Sequence, residues 1–187
     1  MTRQVLFVHG AGDGAWEADA RLAASLTVAL GPGYAVRNPQ FPDEDEPDYQ
    51  TWARVIGEEL QGLGAGAVLV GHSVGGTMVA RALYDGLSGE ESGGEGLSGI
   101  FLVSTPFWHN DEVWHWPEGE LPPDAAARFP HVPVFLYHGD ADEVVPVAHL
   151  DMLAGALPQA SVRRLAGRNH QLNDDLAEVA ADIRGLG

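Results

Sequence analysis

Apolar positions follow two alternating rhythms along the chain. Short β-rich runs occur at Gln4 to His9 (QVLFVH), Tyr34 to Asn38 and Ala67 to His72 (AVLVGH). Three more follow at Gly99 to Ser104 (GIFLVS), Val132 to His138 (VPVFLYH) and Ser161 to Leu165. Longer amphipathic stretches separate them: Trp16 to Leu30, Tyr49 to Leu63, Val74 to Tyr84, Val147 to Ala156 and Asp174 to Ile183. Within the second stretch Trp52, Val55, Ile56, Leu60 and Leu63 recur at helical spacing. Strands that alternate with helices predict a parallel sheet covered on both faces. The expected architecture is α/β, a single domain over residues 1–187. Its six strands should follow the order 2-1-3-4-5-6, with the site at their C-terminal edge.

Two segments break the rhythm. Leu87 to Ser98 (LSGEESGGEGLS) is rich in Gly, Ser and Glu and reads as a flexible surface loop without a function of its own. Residues 105–130 are longer and carry Phe107, Trp108, Trp114 and Trp116 among charges and prolines. They leave the fourth strand at the edge where the site is expected. A long irregular connection there is usually functional, so these four aromatics are expected to wall the substrate pocket as a partial lid.

Composition narrows the classes of function. The 187 residues suit one compact domain with a proper core. There is no cysteine, which excludes disulfides, thiolate catalysis and Cys-based zinc sites. Ten Lys+Arg against 27 Asp+Glu give a net charge of −17. That balance argues against nucleic acid and anionic membrane as partners, and speaks to solubility. The apolar run in MTRQVLFVHG is too short for a signal peptide, and no stretch approaches the ~20 apolar residues of a spanning helix. A soluble, cytoplasmic protein is expected.

The chemistry centres on Gly71-His72-Ser73-Val74-Gly75, which fits G-x-S-x-G between an apolar strand and a helix. A sharp strand-to-helix turn lifts the serine hydroxyl clear of the sheet and sets it at a helix N-terminus, whose dipole favours developing negative charge. Serine needs a base. Of eight histidines, His170 stands in the loop Gly167-Arg168-Asn169-His170 between the last strand and the last helix, within reach of Ser73. His72 precedes the serine, and strand alternation turns its side chain away. His9 is expected to shape the loop after the first strand, and His138 to pack at a strand end. The imidazole needs a carboxylate to fix its tautomer. His138-Gly139-Asp140-Ala141-Asp142-Glu143 offers three acids, with Asp142 preferred and Asp140 its rival. The Val74 N–H and the Ala11 N–H, the latter from His9-Gly10-Ala11-Gly12-Asp13-Gly14, are the expected oxyanion donors. That loop lacks the G-x-G-x-x-G spacing of a dinucleotide cradle, and no lysine follows as in a P-loop. His109-Asn110-Asp111-Glu112 with His115 could ligate a metal, but their spacing matches no zincin pattern.

Together these motifs resemble the α/β-hydrolase superfamily across nearly the whole chain. His9-Gly10 looks like its oxyanion-loop motif and Gly71 to Gly76 like its nucleophile elbow. His138-Gly139 with Asp142 and Val145-Pro146 looks like its acid loop, and His170 like its terminal histidine. The order Ser73, Asp142, His170 is the order of that class. Pro39-Gln40-Phe41-Pro42, Pro47 and Trp52 add a likeness to the small lidless hydrolases typified by retinoblastoma-binding protein nine. The resemblance implies a minimal fold that starts at the oxyanion strand and lacks a full cap domain. It also implies cleavage of a small or medium carboxylic ester, amide or thioester through an acyl-serine, with no metal or organic cofactor. The alternative is a protein-binding module of the same fold with a silent triad.

Overall fold

The computed structural model describes residues 2–86, 96–109 and 111–186. Most of the predicted surface loop, residues 87–95, lies outside the described residues, as does Asn110 of the candidate metal cluster. The elements run β1 (Arg3–Val8), α1 (Ala15–Leu30), β2 (Tyr34–Arg37), α2 (Tyr49–Gln61), β3 (Val68–His72) and α3 (Val74–Tyr84). They continue with β4 (Gly99–Val103), α4 (Ala125–Arg128), β5 (Val134–Gly139), α5 (Ala148–Ala156), β6 (Ser161–Leu165) and α6 (Ala177–Arg184). All six strands pair in parallel, in the order β2-β1-β3-β4-β5-β6.

Period-two alternation divides the core. Leu6, Val8, Leu69, Leu102 and Leu136 point to one face, where Trp52 and Ile56 of α2, Met78 of α3 and Leu150 of α5 cover them. Val5, Phe7, Val68, Val70, Phe101 and Tyr137 point to the other, under Leu22 and Leu26 of α1 and Val179 and Ile183 of α6. Because both faces are covered there, the inner strands β1, β3 and β4 read as apolar runs, while the edge strands β2 and β6 do not. Asp48 caps α2 by accepting the Thr51 N–H at 2.8 Å, directly after Pro47. Among the described residues no helix is long and apolar enough to cross a membrane.

Most element boundaries shift from expectation by a residue or two, and three departures have a local reason. β5 begins at Val134 instead of Val132, because Pro133 has no N–H to give the ladder. The last helix begins at Ala177 instead of Asp174. Leu172, Asn173 and Asp174 instead form a tight turn with φ of 46°, 58° and 55°. Asn169 and Asn173 hold that turn by exchanging side-chain-to-backbone hydrogen bonds at 2.7 and 3.1 Å. The irregular segment 105–130 contains a short helix, α4, and its Ala125 and the following Phe129 are buried in the core. Those two side chains anchor the far half of that segment to the core.

The topology prepares a site. After β1 the chain turns to β2 on one side, and β3 returns on the other, so the loops leaving β1 and β3 diverge and open a crevice. Those loops carry Gly10 to Gly14 and Ser73.

Candidate active site

A single residue joins β3 to α3, so Ser73 alone must turn the chain. It does so at φ 52°, ψ −127°, a conformation that costs a non-glycine residue roughly 1–3 kcal/mol. Its neighbours must be small. A Cβ on Gly75 would stand 2.1 Å from the His9 carbonyl oxygen, so the first turn of α3 fits against β1 only as glycine. Ser73 N–H is anchored on the Val103 carbonyl at 2.8 Å.

Ser73 Oγ lies 3.1 Å from His170 Nε2, and His170 Nδ1 lies 2.8 Å from Asp142 Oδ2. Ser73 is 9% exposed and His170 7%, so both are shielded yet reachable. The three acids after β5 have separate positions. Asp142 meets the imidazole. Asp140 Oδ1 accepts the Gly167 N–H at 2.7 Å and does not touch His170. Glu143 accepts the His170 backbone N–H at 3.2 Å. The loops approach closely because Gly139 lacks a Cβ, which would sit 2.0 Å from the Arg168 carbonyl oxygen.

Asp142 is held on every side. Its Oδ1 accepts the Val144 and Val145 N–H groups at 2.9 and 2.8 Å. His138 Nε2 stands 3.1 Å from Oδ2 and 2.9 Å from the Val145 carbonyl. Both of those partners accept, so the His138 proton resides on Nε2. Burial pushes the Asp142 carboxyl upward, but the hydrogen bonds from His138, His170 and Val145 outweigh it. The group stays well below the usual carboxylate range, an anion at neutral pH.

The Val74 N–H opens α3 and so has no intrahelical acceptor. The Ala11 N–H likewise has no backbone acceptor among the described residues. Both residues line a cavity of about 490 Å³, with Gly12, Asp45, Glu46, Pro47, Trp108 and Trp116. Two of the four expected pocket aromatics are therefore at this cavity. Trp108 and Trp116 meet edge to face at 5.4 Å over Gly119, where a Cβ would strike both indoles. Phe107 and Trp114 do not line it. Phe107 packs against the core with its N–H on His149 Nδ1, and Trp114 meets the His149 ring edge to face at 4.5 Å.

Other histidines have partners away from Ser73. His9 Nδ1–H donates to the Gly10 carbonyl at 2.6 Å, and its Nε2 accepts the Phe41 N–H at 2.9 Å. Burial lowers its pKa, so it is a neutral brace for the loop after β1. His109 pairs with Asp111 and His115 with Glu120, each at 3.8 Å, and no metal-like group of three such side chains forms among the described residues.

Sequence reasoning missed one buried pair. His72 Nδ1 lies 2.8 Å from Asp19 Oδ2, deep behind Ser73. A signal for it was present. Asp19 falls on the same helical stripe as the buried Leu22, Ala23, Leu26 and Leu30, where a lone acid needs a partner.

The chain matches the alpha/beta hydrolase family over residues 5–183. No curated protein matches it in sequence. Solved structures share its fold at low identity. The monoacylglycerol lipase of Paleococcus ferrophilus superposes with a TM-score of 0.73 at 18% identity, covering 99% of this chain and 95% of that one. The 2-hydroxy-6-oxo-6-phenylhexa-2,4-dienoate hydrolase of Rhodococcus sp. strain RHA1 gives 0.71 at 16%, covering 98% and 89%. The thioesterase domain from the curacin biosynthetic pathway gives 0.68 at 17%, covering 98% and 92%. A lipase, a hydrolase of a phenylhexadienoate and a thioesterase on one framework leave the choice of substrate to the site.

Proposed function

The chain belongs to the alpha/beta hydrolase family, and on that premise we propose that it is a serine hydrolase cleaving a small or medium carboxylic ester. Ser73 Oγ attacks the ester carbonyl carbon while its proton passes to His170 Nε2. Asp142 holds His170 with Nδ1–H toward itself and offsets the imidazolium charge. The carbonyl oxygen becomes an oxyanion within reach of the Ala11 and Val74 N–H groups, each such donor being worth about 10²–10³ in rate. Collapse breaks the bond to the alcohol oxygen, which leaves with the proton from His170 and gives an acyl-serine. Water then adds to the acyl carbon, its proton passing to His170. The acid departs and the proton returns to Ser73. A thioester or an amide follows the same steps with a thiol or an amine leaving.

The observation that carries this reading is the unbroken line Ser73 Oγ, His170 Nε2, His170 Nδ1, Asp142 Oδ2, with contacts of 3.1 and 2.8 Å. A likeness to the small hydrolases around retinoblastoma-binding protein nine is proposed on the sequence Pro39-Gln40-Phe41-Pro42 and Pro47, together with Phe41 and Trp52. Their rings meet at 4.8 Å and both pack on His9 beneath the oxyanion loop. The deciding experiment is a labelled fluorophosphonate. Ser73 is expected to be the one residue modified. An intact, folded protein that takes no label would favour a binding module with a silent triad.

Trp108 and Trp116 are the proposed wall for the acyl group, and Asp45 and Glu46 at the same cavity suit an uncharged or cationic one better than an anion. Trp108→Ala or Trp116→Ala should shift the preferred chain length in a graded p-nitrophenyl ester series. Each should raise KM for the best substrate roughly 5- to 30-fold, the equivalent of about 1–2 kcal/mol of lost apolar contact. Phe107→Ala and Trp114→Ala should instead lower the melting temperature and leave the ester profile unchanged. The reverse pattern in the two pairs would move the pocket elsewhere.

A further inference from the structure

The pair behind the nucleophile has a geometry that the hydrolytic steps above leave unused. His72 is 1% exposed, and its two ring nitrogens face two groups that only accept. Nδ1 meets the Asp19 carboxylate at 2.8 Å, and Nε2 meets the backbone carbonyl of His170 at 3.1 Å. Both contacts are hydrogen bonds only when both nitrogens carry hydrogen, that is, when His72 is an imidazolium. Asp19, also 1% exposed, supplies the opposite charge. Its Oδ2 further accepts the Gly10 N–H at 2.8 Å, and its Oδ1 accepts Gln171 Nε2 at 3.0 Å.

The contacts reach both halves of the site. Gly10 N–H belongs to the loop that presents the Ala11 donor, and a Cβ on Gly10 would approach Ser73 Cβ to 3.2 Å. His170 and Gln171 belong to the loop that carries the base. The His170 carbonyl also accepts Ser104 Oγ–H at 2.9 Å, so the base's backbone is pinned from two sides. We propose that the buried Asp19–His72 ion pair is a positioning device that locks the oxyanion loop and the His170 loop in register across Ser73. This rests on reading Ser73, His170 and Asp142 as the reacting triad. Neither member of the pair touches substrate.

The charge states agree with the geometry. Burial opposes the His72 cation, but the Asp19 carboxylate beside it raises the imidazole above its ordinary value. Burial likewise opposes the Asp19 anion, and His72 holds it below the ordinary carboxylate value. The other groups facing His72 are Asp142 from the loop after β5 and the imidazoles of His9 and His170. Taking two charges out of water is a costly way to build a core. It yields a fixed dipole with four directional hydrogen bonds, which an apolar pair cannot supply.

The test uses the whole chain and a chromogenic ester. Asp19→Asn and, separately, His72→Gln should lower kcat by about 10- to 100-fold with KM within about 3-fold, because loosened donors and base misplace the reacting groups without altering the acyl pocket. Fluorophosphonate labelling of Ser73 should slow in parallel. The double variant should be no worse than the worse single one, since both remove one coupled unit. Ile183→Ala, a buried truncation on α6 away from the site, controls for stability: at an equal loss of melting temperature it should keep wild-type kcat. In the wild-type protein, ¹⁵N spectra of the His72 ring should show both nitrogens protonated at pH 7.5. Wild-type kcat in folded Asp19→Asn or His72→Gln overturns the proposal, as does an equal loss in Ile183→Ala. A bare ring nitrogen on His72 in the wild-type spectrum does so even where the variants fail to fold. Activity surviving in Ser73→Ala would instead overturn the reading of the triad, so the two failures are distinct.

Discussion

Ser73→Ala is expected to lower kcat by about 10⁴- to 10⁶-fold, and His170→Ala by a similar factor. On the proposed mechanism the two side chains form one unit, in which the hydroxyl is a weak nucleophile until Nε2, 3.1 Å away, takes its proton. Removing either member therefore removes the same step, and the double variant should fall no further than the worse single one. The residual rate over water would measure what the proposed Ala11 and Val74 donors and the pocket contribute alone. Stability should scarcely change in Ser73→Ala. Alanine at φ 52° is as strained as the serine it replaces, and the Ser73 N–H bond to Val103 does not involve the side chain. Steady-state turnover, phosphonate labelling and thermal unfolding of the three variants are the measurements. Labelling or undiminished turnover in Ser73→Ala would show that another residue is the nucleophile.

Which features were legible in the sequence follows from how local their causes are. Strands β1, β3 and β4 are buried on both faces, and their apolar runs announce this without any knowledge of neighbours. Ser73 was legible because the sharp turn demands glycine at 71 and 75, and small residues are conspicuous at the junction of a strand and a helix. Asp142 was set above Asp140 only through likeness to an acid-loop motif, since composition within the loop does not tell three carboxylates apart. The structure separates them by direction, one to His170, one to Gly167 N–H and one to His170 N–H. The illegible features are those made by contacts distant in the chain. His72 was seen to point away from Ser73, but its partner lies 53 residues earlier on α1. The division of the aromatics, with Trp108 and Trp116 at the cavity and Phe107 and Trp114 on His149 and the core, depends on α5, which the 105–130 segment meets only in the folded state. The start of α6 lies later than the pattern predicts because Asn169 and Asn173 close a turn through side-chain bonds, and these override the amphipathic pattern around Asp174.

Asp142→Asn should reduce kcat by about 10⁴-fold, while Asp140→Asn should stay within about 10-fold of wild type. Both replace a carboxylate by its amide in the same loop, so the comparison isolates what the charge touches. Asp142 accepts from His170, His138 and the N–H groups of Val144 and Val145. Asparagine offers one oxygen for those donors and turns an NH₂ toward another. It then favours the His170 tautomer with Nε2–H, which cannot take the Ser73 proton. Among the described residues Asp140 answers the Gly167 N–H alone, which the asparagine oxygen can still serve. The folded-state pKa of Asp142 lies below its ordinary value of 3.8, so the carboxylate's contribution to stability is complete above that value and is lost as pH falls through the folded one. Melting temperature should therefore decline more steeply below about pH 4 in wild type than in Asp142→Asn. Turnover of both variants at pH 7.5, with melting curves from pH 3 to 7, tests the assignment. An active Asp142→Asn beside a dead Asp140→Asn would transfer the role to Asp140 and require the loop after β5 to rearrange during the reaction.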